Sequence, residues 1–254
     1  MRVICVCNQK GGTGKTTTAW AILTGAAARG YRAIGIDMDI QHSLSFIMQA
    51  DPAKGTITDV LKGRRKMHEV IQHTGCGDVV PASIGLATIK DVDALKKAMP
   101  QLQELYDIAV IDGPPTLSAQ LLAYIRAADE VIIPIRADPM AEQGLYQVKE
   151  SIIGANPDVS ILGVFLTQYS GRTVLERDMR ENIMDTCRQL QLPFLDTPVK
   201  SAVAVQEAQF LGKSLFTYAP RSTAAAGYNA LLDAIGIKEK ARKRSRNNNK
   251  GKKG

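Results

Sequence analysis

Apolar and polar positions along the chain fall into two alternating rhythms. Short, nearly unbroken apolar runs recur at residues 3–7, 33–36, 107–111, 130–135 and 161–167. Their β-branched content and lack of polar alternation predict strands buried on both faces. Residues 78–82 and 193–195 predict two shorter strands. Between these runs the spacing becomes helical. Ala94, Leu95, Ala98, Leu102 and Leu105 mark one face of a helix expected over 92–105. Further helices are expected over 19–29, 56–61, 67–73, 118–128, 140–153, 174–190, 203–211 and 222–235. This repeated strand–helix order predicts an α/β fold, a mostly parallel sheet with helices on both faces. Ligands of such sheets bind at the carboxyl ends of the strands. With no internal repeat and no linker before residue 237, one folded domain over 1–237 and a tail over 238–254 are expected.

Composition narrows this little. Apolar content of 45% and charged content of 22% are those of an ordinary globular protein. No apolar run approaches the roughly 18 residues of a spanning helix, and Met1-Arg2 leads straight into the first strand, so a cytoplasmic protein is expected. Cys5, Cys7, Cys76 and Cys187 form no C-x-x-C pair and read as small buried hydrophobes. The three His have no companions at metal-ligand spacing. Charge is more telling in its distribution. Nine Lys and Arg against one Glu in residues 238–254 account for the net +7, leaving the preceding 237 residues near neutral. That tail is expected to be disordered.

The chemistry concentrates in residues 9–18, Gln-Lys-Gly-Gly-Thr-Gly-Lys-Thr-Thr-Thr. Placed between a strand and a helix, its glycines let backbone N–H groups close around phosphate oxygens, and the helix N-terminus adds partial positive charge. The phosphate-loop pattern G-x-x-x-x-G-K-[ST] is met by Gly14-Lys15-Thr16, but Gln9 stands where its first Gly should be, followed by Lys10. Two further strands end in acids, one at Asp37-Met38-Asp39 and one at Asp112-Gly113-Pro114-Pro115. Asp39 there is either a turn or cap residue or a carboxylate facing Mg²⁺ or a water. Asp112 sits where a second Mg²⁺-associated carboxylate is required. The basic turn 62–66 reads as solvated surface.

Four segments together resemble the ParA/MinD family of deviant Walker A ATPases. They are Lys10 to Thr16; Ile36 to Gln41, similar to the family's D-x-D-P-Q switch I; Tyr106 to Leu117, similar to its Walker B and switch II; and Glu207-Ala208, Gly212 to Ser214, Tyr218 to Ser222 and Tyr228, similar to the C-terminal signature of the ParA branch. The resemblance implies a single P-loop NTPase domain that uses ATP and Mg²⁺. By its pattern Gly11, Gly12, Thr13, Gly14, Lys15 and Thr16 hold phosphates, the Thr16 hydroxyl meets Mg²⁺, and Thr17 lies near the α-phosphate. Asp39 orients the attacking water and Asp112 holds Mg²⁺ through water. Lys10 reaches the partner's nucleotide in an ATP-bound homodimer. Gln168 and the loop around Pro198 are candidates for the adenine. The sequence departs from the pattern at Ile40, at His42-Ser43 and at Lys200, where the family often has Pro, Gly-Asn and a DNA-contacting Arg.

The resemblance further implies a short, Soj-like partition ATPase, nucleoid-associated, binding DNA without sequence preference and stimulated by a ParB-like partner. Lys200, Arg221, Lys240, Arg242, Lys243, Arg244 and Arg246 are the candidate DNA contacts. Membrane attachment is not expected, because the residues after Ile237 contain no Leu, Ile, Phe or Trp. A polybasic tail also suits anionic lipid, or serves only to solubilise. Competing readings are a MinD-like or conjugation-accessory positioning ATPase and a dethiobiotin synthetase-like ligase.

Overall fold

The computed structural model describes residues 1–114 and 119–240. Pro115, Thr116 and Leu117 of the switch II segment, and Arg242, Lys243, Arg244 and Arg246 of the tail, lie outside the described residues. The strands are β1 (Arg2–Val6), β2 (Ala33–Asp37), β3 (Gln72–Thr74), β4 (Gly77–Val80), β5 (Ile108–Asp112), β6 (Glu130–Ile135) and β7 (Ser160–Leu166). They form one sheet in the order β3-β4-β2-β5-β1-β6-β7, parallel except for the β3–β4 hairpin. The helices are α1 (Lys15–Ala28), α2 (Ser43–Ile47), α3 (Ile57–Leu61), α4 (Ala94–Ala98), α5 (Ala119–Ala127), α6 (Ala141–Ala155), α7 (Val174–Gln189), α8 (Val203–Phe210), α9 (Leu215–Tyr218) and α10 (Thr223–Ala234).

Alternation along β1 divides the core. Val3, Cys5 and Cys7 face the layer of α3 to α7, whereas Ile4 and Val6 face α1, α2 and α8 to α10. Both layers are closed, which is why β2 and β5 carry no polar residue until their carboxyl-terminal Asp. The four cysteines are buried and unpaired, as expected.

The sheet and its two helical layers match the expected fold; the departures are local. The helix expected over 67–73 is a single 3-10 turn at Met67–Glu69 followed by edge strand β3. Met67, Val70 and Ile71 have the i, i+3, i+4 spacing of a helix, but the polar Gln72-His73-Thr74 that follows pairs with β4, and the Gly75-Cys76-Gly77 turn, with Gly77 at φ 136°, closes that hairpin. The helix over 92–105 breaks after Ala98, because Pro100 cannot donate to the ladder and the chain continues as a 3-10 turn. Residues 193–195 form an isolated bridge, Phe194 to Val164, rather than a strand. The first helix starts at Lys15, earlier than its apolar run suggests, since Gly14 in the left-handed region closes the loop.

Close packing behind the site falls on Gly227 of α10. A Cβ there would meet the Pro198 carbonyl at 2.9 Å and Val199 Cα at 3.1 Å, both backbone atoms. Helix propensity alone favours Ala over Gly by about 1 kcal/mol. We expect Gly227→Ala to destabilise the protein instead, by about 1–3 kcal/mol in urea unfolding. Equal or higher stability would contradict this packing.

Candidate active site

The loop between β1 and α1 is held by its own Asn8 and by two distant segments, β6 and the residues just after β7. The Asn8 amide donates to the Pro134 carbonyl at 2.8 Å and its oxygen accepts Lys10 N–H at 2.9 Å. Thr167 Oγ1 donates to the Thr13 carbonyl at 2.8 Å, and Gln168 Nε2 to the Gly12 carbonyl at 3.1 Å. Gly12 and Gly14 take φ of 72° and 82°, which a side chain would strain. Gly11 and Gly12 have open space where a Cβ would stand. No side chain caps α1, so its first N–H groups point into the loop's concavity, an anion site by construction.

Beneath this cradle lies a buried charge cluster. The Lys15 ammonium donates to the Lys10 carbonyl at 3.0 Å. Burial pulls it below its usual range, and Asp112, Cys7 and Asp39 oppose that shift. Asp37 and Asp112 are register partners on β2 and β5, and both are fully buried. Asp37 accepts Ser45 N–H at 2.8 Å, the Ser45 hydroxyl at 2.6 Å and Asp39 N–H at 3.1 Å. Burial still raises it to about 6. Neither oxygen of the Asp112 carboxylate has a hydrogen-bond partner among the described residues. Burial and the Asp37 charge push Asp112 well above the carboxylate range, while the Thr16 hydroxyl and the Lys15 ammonium oppose them.

An unpartnered buried carboxylate facing a hydroxyl and an ammonium lacks a cation or a donor. Among the described residues no group of three His, Cys, Asp or Glu could hold a metal ion. The donor set therefore does not fit a resident metal cage. It fits Mg²⁺ arriving with phosphates, which takes only one or two protein oxygens.

Asp39 lies at the same strand ends, almost buried, with Oδ1 accepting Gln41 N–H at 2.9 Å. It thus serves the turn as well as facing the site. His42 caps α2 at φ 55°, so the left-handed geometry natural to Gly is kept with His in its place. Lys10 points away from the cradle, its ammonium 2.6 Å from Asp138 Oδ1.

Thr17 Oγ1 accepts from Gln209 Nε2 at 3.1 Å. Beyond it opens a cavity of about 240 Å³ bounded by Gly14, Thr17, Gln168, Lys200, Gln206 and Gln209. Gln168 therefore lines the space next to the loop, and so do Val199 to Ala202 of the segment around Pro198, while the Pro198 carbonyl packs toward Gly227. Lys200 is exposed at the cavity rim, and Arg221 is exposed just before α10. Lys240 is otherwise engaged, on Asp107 at 2.7 Å. Sequence reasoning did not single out Ser45, Asn8, Asp138 or Gln209. Each lies on a different element from its partner, and no local spacing signals it.

A family model described as an AAA domain matches residues 1–160. The chromosome partitioning protein ParA of Myxococcus xanthus is 31% identical over 91% of this chain and 86% of its own. The chain belongs to the ParA/MinD family of deviant Walker A ATPases, in its Soj-like branch. The chromosome-partitioning ATPase Soj of Thermus thermophilus is 30% identical over 92% of this chain and 95% of its own. The crystal structure of the cobyrinic acid a,c-diamide synthase of Mycobacterium smegmatis, with bound ATP analogue and magnesium, superposes with a TM-score of 0.79. It is 30% identical and covers 92% of this chain and 94% of that one.

In this ParA/MinD ATPase the raised Asp37 has a measurable consequence. Between pH 4 and 6 the folded state keeps a proton that the unfolded state has lost, so stability falls as pH rises through about 6. Asp37→Asn should make that decline shallower by up to about 2–3 kcal/mol, the two-unit difference of Asp37, leaving the part that Asp112 contributes. Denaturant unfolding across this range checks it; an unchanged slope would place the titration elsewhere.

Proposed function

We propose that this protein is a partition ATPase in which MgATP binding drives face-to-face dimerisation and non-specific DNA binding, reversed by hydrolysis that a ParB-like partner stimulates. The observation that carries the reading is the division of labour between two lysines. Lys15 lies in the cradle with the buried carboxylates; Lys10 stands outside it, on an exchangeable ion pair with Asp138.

In this reading the backbone N–H groups of residues 11–16 and the Lys15 ammonium hold the phosphates of ATP. Thr16 and Asp112 hold Mg²⁺, which shields the phosphate charge. Thr17, positioned by Gln209, lies at the α-phosphate, and Gln168 borders the space for the base. Asp39 orients the water whose oxygen displaces ADP from the γ-phosphorus, giving ADP and phosphate. Lys10 exchanges Asp138 for the partner's nucleotide, so turnover depends on the dimer. Phosphoryl transfer needs this kind of positioning and charge neutralisation more than covalent chemistry. Exposed Lys200 and Arg221 meet DNA phosphates, which makes the dimer nucleoid-associated.

A small-molecule ligase is the second reading, favoured by the likeness to the M. smegmatis synthase. The polybasic C-terminal stretch and the partition relatives over most of the chain support the first. Among the described residues no helix is long and apolar enough to cross a membrane.

Two single variants test the assignment. Lys15→Ala should abolish MgATP binding. Lys10→Ala should bind MgATP normally, stay monomeric in light scattering and turn over about 100-fold more slowly. ATP-dependent dimers and normal phosphate release from Lys10→Ala would refute the role of Lys10 across the interface.

A further inference from the structure

The two lysines of the loop rest on different partners, and the backbone that carries Lys10 is fixed. Lys10 N–H donates to Asn8 Oδ1 at 2.9 Å, and its carbonyl accepts the Lys15 ammonium at 3.0 Å and the Thr13 hydroxyl at 3.3 Å. Gln9, just before it, donates from Nε2 to the Ser151 hydroxyl on α6. Only the Lys10 side chain is left to move, and its ammonium sits 2.6 Å from Asp138 Oδ1. Asp138 is held from its own side. The same Oδ1 accepts Met140 N–H at 3.0 Å, and the Asp138 carbonyl accepts Ala141 N–H at 3.0 Å, where the chain turns from β6 into α6. When this pair opens, the carboxylate stays and the lysine leaves.

Among the described residues neither charge has a second ion-pair partner. Their side chains are 40% and 24% exposed, so water competes for both. An ion pair of this kind holds its lysine by a factor of about 2–5. For one chain that factor is small. In the dimer of the proposed function, on which this step rests, each chain gives up its Lys10 to the other. Two pairs then open for every dimer formed, and the factor enters as its square.

We propose that Asp138 sets the threshold for ATP-dependent dimerisation by holding Lys10 in the separate chain. It is a positioning residue that acts through Lys10. Among the described residues its carboxylate bonds only to the Lys10 ammonium and the Met140 N–H, and to no N–H of the phosphate cradle. Its charge favours the separate chain, and the negative charge of the partner's nucleotide has to draw the lysine off it. Without that charge Lys10 is available at no cost, and the dimer forms at lower protein concentration.

The test measures dimer dissociation constants of full chains by sedimentation equilibrium, with Mg²⁺ and a non-hydrolysable ATP analogue. Asp138→Asn keeps an oxygen for the Met140 N–H and removes the charge, so it should tighten the dimer about 4–25-fold. Asp138→Glu keeps the charge and should stay closer to the wild type. Affinity for MgADP, which reads the cradle alone, should be the same in Asp138→Asn and the wild type. In MgATP turnover the gain should appear as a lower protein concentration at half-maximal rate and not as a higher plateau. In a Lys10→Ala background Asp138→Asn should neither restore nor tighten the dimer. If Lys10→Ala abolishes the dimer and Asp138→Asn leaves it unchanged or weaker, the proposal is overturned and the proposed function stands. A gain that persists without Lys10, or an equal gain in MgADP affinity, would also overturn it. Dimers of Lys10→Ala as tight as those of the wild type would instead remove the role of Lys10 across the interface, and the threshold with it.

Discussion

Asp37 and Asp112 face one another across adjacent parallel strands, both removed from water, and only one of them is satisfied. Asp37 has three donors from Ser45 and the Asp39 backbone, whereas Asp112 has none within hydrogen-bond distance among the described residues. Two carboxylates so placed repel each other, and burial opposes charge on either. Lys15 offsets part of that repulsion and is itself weakened by burial. The cluster is thus a site short of positive charge, and the phosphate cradle above it is a site short of negative charge. A magnesium nucleotide supplies both.

This incomplete electrostatics accounts for much of the surrounding architecture. The left-handed glycines, the start of α1 that no side chain caps, and the Asn8 and Thr167 struts hold the loop in the curvature that suits an anion. Strand pairing of β2 with β5 brings the acids together, because parallel strands end on one edge. The second lysine follows a different logic. Lys10 is excluded from the cluster and neutralised by a half-exposed partner, an ion pair that costs little to exchange. Distal to all of this, Arg29, Asp107 and Lys240 tie the C-terminal residues to the base of the sheet.

The parts legible in the sequence are those in which one segment carries its own chemistry. The buried strands, the Gly-rich turn and the acids at strand ends need no partner to be recognised. Asp112 was readable because an apolar strand ending in Asp follows a phosphate loop; Asp37 was seen beside Asp39, but its burial depends on Ser45 eight residues away. The 67–73 segment reads as helix because its three apolar residues have helical spacing, whereas the pairing of Gln72 to Thr74 with β4, and the glycines that turn the chain, come afterwards. The clasp at Lys240 was illegible for a related reason. A lysine in a basic run looks like its neighbours until Asp107 and Tyr31, both far away in the chain, are brought beneath it.

The central claim is that a magnesium nucleotide completes the cluster at Asp112. Thermal unfolding of the full chain, with ATP and Mg²⁺ and with ATP and excess EDTA, tests it most directly. Ligand at 100 times its Kd stabilises a single site by about 2.7 kcal/mol. A melting-temperature rise of several degrees with Mg²⁺ present, largely lost with EDTA, is the result the account predicts. An equal rise without Mg²⁺, or none in either condition, would contradict it.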